Sequence, residues 1–227
     1  MTAREAILGR VRSSLGVKAG DPRRATIAAE RMAQHPATLV PDRAKQTGPA
    51  LFAQFRALLE GQQAVVLEAG PAEAVPQAIA RYLESIGETI GKPPAIRFGA
   101  DPRLAAMPWR DVDWIDVRQG AAEPGDRVGL SHALAGISET GTLVIAAGRD
   151  NPVTLAFMPE THIIVVARET IVGSYEQALD VVRGAFGGSG MPRTLNYISG
   201  PSRTADIGGK IVIGAHGPRR LCVVVTG

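Results

Sequence analysis

Cysteine is almost missing from this chain: Cys222 stands alone in 227 residues. A single thiol excludes an intramolecular disulfide framework. It equally excludes a self-contained cysteine-ligated iron–sulfur cluster or zinc ribbon. Leu221, Val223, Val224 and Val225 surround it, which is the setting of a buried, inert thiol rather than a nucleophile. Aromatic residues make up 4%, too few for the stacking platforms that hold single-stranded nucleic acid, so no nucleic-acid partner is expected. No apolar run approaches the ~20 residues of a membrane span. The opening Met1-Thr2-Ala3-Arg4-Glu5 lacks the apolar stretch of a secretory signal. A cytoplasmic location without a membrane span is the expectation.

Apolar residues are plentiful, at 45%, enough to build a substantial core. The length suits one large α/β domain, or one domain with a helical extension. The net charge of +3 is spread unevenly: from Gly190 onward Arg193, Arg203, Lys210, Arg219 and Arg220 face Asp206 alone. A basic end suits an anionic ligand or an acidic partner surface. Simple solvation accounts for each of these charges equally well when taken singly.

Residues 4–15 place Ile7, Leu8, Val11 and Leu15 on one helical stripe, and residues 26–34 and 47–60 read as two further helices. Together they predict an N-terminal helical extension over residues 1–62, able to embrace a partner or a second protomer. A different pattern begins at Ala64. Apolar runs at 64–67, 95–98, 114–117, 143–147, 162–167, 194–198, 210–213 and 221–225 alternate with helical segments at 73–85, 152–158 and 175–186. Unbroken apolar runs are strands buried on both faces. Their alternation with helices predicts an α/β domain over residues 63–227, a Rossmann-like, mainly parallel sheet flanked by helices. Ligands of such sheets gather at the carboxyl ends of the strands, and the residues after 194–198 fall at such an end.

Two motifs carry chemistry. In Gly136-Ile137-Ser138-Glu139-Thr140-Gly141-Thr142 a carboxylate sits between glycines and hydroxyls. Glu139 there is a candidate nucleophile or base, with Ser138, Thr140, Gly141 and Thr142 as ligand contacts; a structural turn glutamate is the competing reading. In Ser199-Gly200-Pro201-Ser202-Arg203-Thr204-Ala205-Asp206-Ile207, glycine lets the backbone approach a ligand. Ser202, Thr204 and backbone N–H groups beside Gly200 form a candidate anion cradle, with Arg203 as the charged partner. Asp206 would hold Arg203 or His216, and His216 would exchange a proton with a hydroxy acid. A backbone-bonded loop histidine and a helix-start carboxylate are the plainer alternatives. His132 and His162 are weaker candidates, His162 opening a buried strand. The spacing of His132, His162, His216 and Asp206 follows no recognised ligand pattern, so no metal site is assigned.

These two motifs, the Pro159-x-x-His162 approach to an apolar strand, and Gly214-x-His216-Gly217-Pro218 together resemble the LUD-domain family, in particular its lactate utilization protein C (LutC, YkgG-like) branch. The resemblance runs from about residue 64 to the end and includes the N-terminal helix. One position departs from it: Gly208 follows Ile207 where the family commonly has an acidic residue. The resemblance implies a fold similar to the NagB/RpiA/CoA-transferase group and a part in bacterial oxidation of lactate to pyruvate. It implies two iron–sulfur partner subunits, LutA-like and LutB-like, and a small anionic ligand such as lactate or pyruvate. No cofactor is implied in this chain, which would be a component of an oxidoreductase complex rather than a complete enzyme. The fold likeness opens an alternative. Ser138-Glu139-Thr140-Gly141 is similar to the Ser-Glu-Asn-Gly turn of class I CoA-transferases, so Glu139 could serve a stand-alone acyl-CoA or sugar-phosphate enzyme. A ligand sensor or assembly protein without turnover is the third reading.

Overall fold

The computed structural model describes residues 2–36, 38–88, 94–187, 190–207 and 210–227, with 205–207 as backbone only. The chain divides into two compact units, residues 1–39 and 40–227. In the first, helix α1 (Ala3–Ser14) starts at a capping box: Thr2 Oγ1 accepts from the Glu5 N–H, and Glu5 accepts from the Thr2 N–H. Helix α2 (Pro22–Gln34) starts with Asp21 as its cap and proline in the first turn. Neither helix buries a residue, and Ile7, Val11 and Leu15 are exposed.

The second unit contains, in order, α3 (Gly48–Gly61), β1 (Val65–Gly70), α4 (Val75–Ser85), β2 (Ala95–Phe98), α5 (Pro102–Ala105), β3 (Asp116–Gln119), β4 (Val128–His132), β5 (Ala135–Ile137), β6 (Thr142–Ala146), β7 (Thr161–Ala167), β8 (Ile171–Val172), α6 (Tyr175–Phe186), β9 (Leu195–Ile198), β10 (Arg203–Ile207), β11 (Lys210–Ile213) and β12 (Arg220–Thr226). Six strands form a parallel sheet in the order β1-β12-β7-β4-β2-β3. The unbroken apolar runs explain its depth. Side chains alternate across a strand, so Ile163, Val165, Cys222 and Val224 enter one core with Val75, Ile79 and Leu83 of α4. Their neighbours Ile164, Val166, Val223 and Val225 enter a second core on the opposite face.

That opposite face is covered differently from the expected layer of helices. A second sheet, ordered β8-β5-β6-β9, lies there beside α3. Leu143 and Ile145 of β6 point to the main sheet, while Val144 points away, with Ala135 and Ile137, to Ala178 and Val182 of α6. The layers therefore run helix, parallel sheet, mixed sheet with α3, and helix. Helix α3, grouped by its sequence with the extension, packs fully buried Phe55 and Leu59 against the main sheet. The run at 194–198 is also placed differently: β9 pairs antiparallel with β6 in the second sheet. The carboxyl-end rule for parallel strands thus does not apply to the residues after it.

Strand β4 escapes the apolar pattern because Gly129, Ser131 and His132 interrupt it, yet all five of its residues are buried. A Cβ at Gly129 would lie 2.8 Å from the Leu155 carbonyl oxygen and 2.9 Å from Pro159 Cγ, so only glycine admits the chain packed across it. Ser131 Oγ meets His162 Nε2 of the neighbouring strand at 2.9 Å. Polar residues enter this central strand because each has its own reason in the packing.

Candidate functional site

The Glu139 turn joins β5 to β6. Gly141 has φ 62°, and a Cβ there would meet Leu58 and Leu59 of α3 at 2.8 Å. Ser138 Oγ donates to the Leu51 carbonyl at 2.8 Å, and Gln54 Nε2 donates to the Ser138 carbonyl at 3.0 Å. The Glu139 N–H donates to the Gly173 carbonyl at 3.0 Å. Helix α3 thus straps this turn in place. Glu139 is 8% exposed, and its buried Oε2 has no hydrogen-bond partner. Buried polar atoms are nearly always paired, so an orphaned carboxylate oxygen marks a place to look for function.

The hydroxyls beside it serve another purpose. Thr142 Oγ1 lies 2.7 Å from both Thr140 Oγ1 and Ser199 Oγ, and Thr140 Oγ1 donates to Tyr175 Oη at 3.1 Å. This knot joins the end of the first motif to the start of the second. Ser138, bonded to α3, and Thr142, within the knot, are both fully buried.

Residues 199–203 of the second motif line a cleft of about 260 Å³ with Phe157, His162, Tyr197, His216 and Gly217; Thr204 and Glu139 are not in its lining. Arg203 donates to the Gln62 carbonyl at 2.6 Å and to Gln63 Oε1 at 2.8 Å, so its guanidinium ties β10 to the end of α3. Gly200 fits there because a Cβ would lie 2.9 Å from Gln62 Cβ. At the open end of the β10–β11 pair the Ser202 N–H donates to the Pro218 carbonyl and the Ser202 carbonyl accepts from the Gly214 N–H, and Thr204 pairs with Val212 across β10 and β11. His216 is exposed. The Asp206 side chain and Gly208 lie outside the described residues. Arg219 and Arg220 pair with Glu160, and Arg220 also with Glu88. Much of the basic C-terminal charge is therefore matched within the protein.

His162 is fully enclosed, and burial pushes its imidazole down to about 3. The unfolded chain then binds a proton that the folded chain refuses as pH falls below the ordinary imidazole range. Stability is lost through that window by up to about 1.4 kcal/mol per pH unit. Replacing His162 with Gln will remove this slope. Urea titrations at pH 7 and pH 5 should show the variant losing about 2 kcal/mol less between the two than the parent. Equal losses would assign the acid sensitivity to other groups.

The carboxyl edge of the parallel sheet holds a constellation the motifs did not mark. From β2 the chain moves to β3 on one side; from β4 it moves to β7 on the other. The crevice between the ends of β2 and β4 is thus the topological switch point, where such sheets bind ligands. Asp101, just past β2, is completely buried. Arg103 grips it in bidentate fashion, Nε at 3.0 Å and Nη2 at 2.6 Å, while staying 54% exposed itself. Burial pushes the Asp101 carboxyl up, but the bonds and charge of Arg103 outweigh that and hold it below its usual range.

His132 ends β4, is 8% exposed, and has Nδ1 2.8 Å from the Ala133 carbonyl oxygen. Asn151 clamps its backbone, accepting from the His132 N–H at 3.1 Å and donating to its carbonyl at 3.3 Å. Burial, then the Arg103 charge, lower the His132 imidazole; Asp101, the Ala133 carbonyl and Glu169 oppose this only in part. The 148–151 turn covers this edge, with the Ala100 N–H donating to the Arg149 carbonyl at 3.0 Å. Applying the carboxyl-end rule to the run at 95–98, followed by Gly99 and Asp101, is the signal that would have led here.

His132 and His162 lie three register positions apart on adjacent strands, about 10 Å, and so do not converge. Among the described residues no group of three or more His, Cys, Asp or Glu is placed to hold a metal ion, and no helix is long and apolar enough to cross a membrane.

Known proteins match much of this architecture. Residues 118–226 match the LUD domain, a narrower span than the motifs suggested. Lactate utilization protein C of Anoxybacillus flavithermus is 33% identical over 98 residues, 43% of this chain and 43% of the relative. Its namesake in Bacillus subtilis is 33% identical over 99 residues, 43% of this chain and 41% of the relative. The match therefore spans about two-fifths of the length of these curated relatives. The crystal structure of a DUF162 family protein from Deinococcus radiodurans is similar at a TM-score of 0.59 and 27% identity, covering 83% of this chain and 100% of that one. The Glu139 turn, the central strand β4 and the C-terminal motif all fall inside the matched span, so the likeness to the LUD domain takes in both motifs.

Proposed function

We propose that this protein is a component of a lactate-utilisation system, supporting the oxidation of lactate to pyruvate together with iron–sulfur partner subunits. The observation that carries the reading is the likeness to lactate utilization protein C, 33% identical over 98 residues, beside a LUD-domain match over residues 118–226 that holds both motifs. The chemistry of the chain agrees with it. Its one cysteine is fully buried, and burial pushes that thiol far above its usual range. Electron-carrying clusters would then belong to the partners, and this chain would bind a small anion or hold the assembly. Deleting the gene in its host and measuring growth on lactate tests the role; unchanged growth removes it. Affinity purification from lactate-grown cells tests the partners, and recovery without any cysteine-rich iron–sulfur protein removes them.

The orphaned Glu139 oxygen favours a second reading, in which this carboxylate acts on an acyl or hydroxy-acid ligand once the α3 strap opens. Glu139→Gln keeps the size and removes the reactive group. The rate of lactate oxidation should fall at least about a hundredfold, and lactate-dependent growth with it, if Glu139 takes part in chemistry, the lower range for loss of an acid–base group. Full growth with the variant would leave Glu139 a structural turn residue.

A further inference from the structure

We propose that the cleft at the carboxyl end of β4, between Arg103 and the 146–151 turn, is a binding site for a small 2-hydroxycarboxylate, with Arg103 and Arg149 facing its carboxylate and His132 Nε2 accepting a hydrogen bond from its hydroxyl. The proposal deepens the lactate-utilisation reading by naming the site and the substituent it selects.

The cleft has a volume of about 300 Å³, and its polar lining is Arg103, His132, Arg149, Asp150 and Asn151, two cationic side chains against one carboxylate. Apolar contact comes from Leu134, Ala146 and Phe186. A few convergent polar groups on an apolar wall are the ordinary make-up of a small-ligand pocket. Among them His132 defines the chemistry. A carbonyl oxygen can only accept, so Nδ1, at 2.8 Å from the Ala133 oxygen, must carry the ring proton. In the neutral imidazole Nε2 is then a bare acceptor, and no described residue hydrogen-bonds to it. His132 is more than nine-tenths buried, and Asn151 fixes its backbone on both sides. Such a ring has little freedom to present a different edge. An acceptor held in this way favours a ligand that offers a hydroxyl over one that offers a keto oxygen.

The cationic side of the cleft is equally defined. Arg103 directs Nε and Nη2 at Asp101, which leaves Nη1 for another anion. Arg149 is exposed beside it on a turn closed by the Gly148 N–H donating to the Asn151 carbonyl at 3.1 Å. Gly99 lets this turn come down over the sheet edge: a Cβ there would lie 2.0 Å from the Asp150 carbonyl oxygen. The groups that hold the turn also hold the backbone of Arg149 and Asn151 at the cleft.

The test is calorimetric titration of the full chain at neutral pH with D- and L-lactate, glycolate, pyruvate and inorganic phosphate. Nitrogen chemical shifts of the histidine rings are followed alongside. At least one hydroxycarboxylate should bind at least tenfold more tightly than pyruvate and phosphate and move the Nε2 resonance of His132. Arg149→Gln should weaken that ligand about tenfold with an unchanged melting temperature. His132→Gln should erase the preference for hydroxyl over keto. Arg103 is left intact because its loss would strand the buried Asp101 charge. Absence of hydroxycarboxylate binding, pyruvate binding as tightly, or binding that leaves His132 unmoved overturns the site. The gene deletion reports separately on function. If growth on lactate needs the gene but His132 does not respond, only the site falls. If His132 responds to a hydroxycarboxylate and growth is unaffected, the site stands and the lactate role falls.

Discussion

Arg97→Met will cost about 3 kcal/mol of stability at neutral pH, the lower end of the range for breaking a buried ion pair. Arg97 lies in β2, and its guanidinium meets Asp126 with Nε at 2.8 Å and Nη2 at 3.4 Å. Both side chains are only 9% exposed. Glu123, whose side chain is 68% exposed, caps the pair from outside at 3.0 Å and keeps solvent close, which is why the lower end applies. For a unit of this size the loss corresponds to roughly 10 °C in melting temperature. Most of the cost is the stranded carboxylate rather than the lost attraction. Adding Asp126→Leu to Arg97→Met should therefore recover more than half of it.

The pH dependence separates this account from a simple packing defect. Burial pushes the Asp126 carboxyl up, but bonds from Arg97 and the Glu123 N–H, with the Arg97 charge, bring it below its usual range. Its contribution is thus complete above the ordinary carboxylate range and lost as pH falls through the lower folded value. Without Arg97 the burial effect is opposed only by the Glu123 N–H and the Arg118 charge, and protonation then relieves the variant in part. The gap between parent and Arg97→Met should narrow when urea titrations are repeated near pH 4. A gap that stays constant with pH would place the damage in lost contacts of the arginine stem.

Phe55→Ala will cost about 3–5 kcal/mol, the usual price of emptying a buried aromatic site. Phe55 is fully buried in α3, and its ring lies 3.0 Å from where a Cβ of Gly136 would stand. The ring is thus fitted against β5, one residue before the strand turns towards Glu139. Because α3 also bonds Ser138 through Leu51 and Gln54, the damage should be local. Hydrogen exchange at the Ser138 and Glu139 amides, bonded to Val172 and Gly173, should accelerate far more than at β12. Uniform acceleration through the sheet would mean that α3 does not specifically hold the turn.

The legible parts of the sequence were those where one residue type has one physical meaning. Unbroken runs such as Ile163 to Val166 could only be strands buried on both faces, and the parallel sheet follows from them. Helix α6, Tyr175–Phe186, was readable from its period, with Ser174 and Gln177 forming its capping box. Strand β4 was not readable, since Gly129 answers to Leu155 and Pro159, and Ser131 answers to His162. Those partners are distant in sequence, and no local pattern announces them. The same limit applied to the motifs. A serine or threonine rich turn looks like a cradle whether its hydroxyls meet a ligand or, as Thr140, Thr142 and Ser199 do, one another.

By itself the sequence determined the α/β class, the family likeness, the inert cysteine and the two polar turns, because each rests on residue type and spacing along the chain. Tertiary structure alone decided that α3 and a second sheet cover one face of the parallel sheet. It also separated the Glu139 turn from the His216 cleft and set Arg103, gripped by Asp101, with His132 and Asn151 at another cleft. The reason is physical: a crossover joins strands by their order in space, and which chain ends meet at an edge is settled only when the whole apolar surface has found its cover.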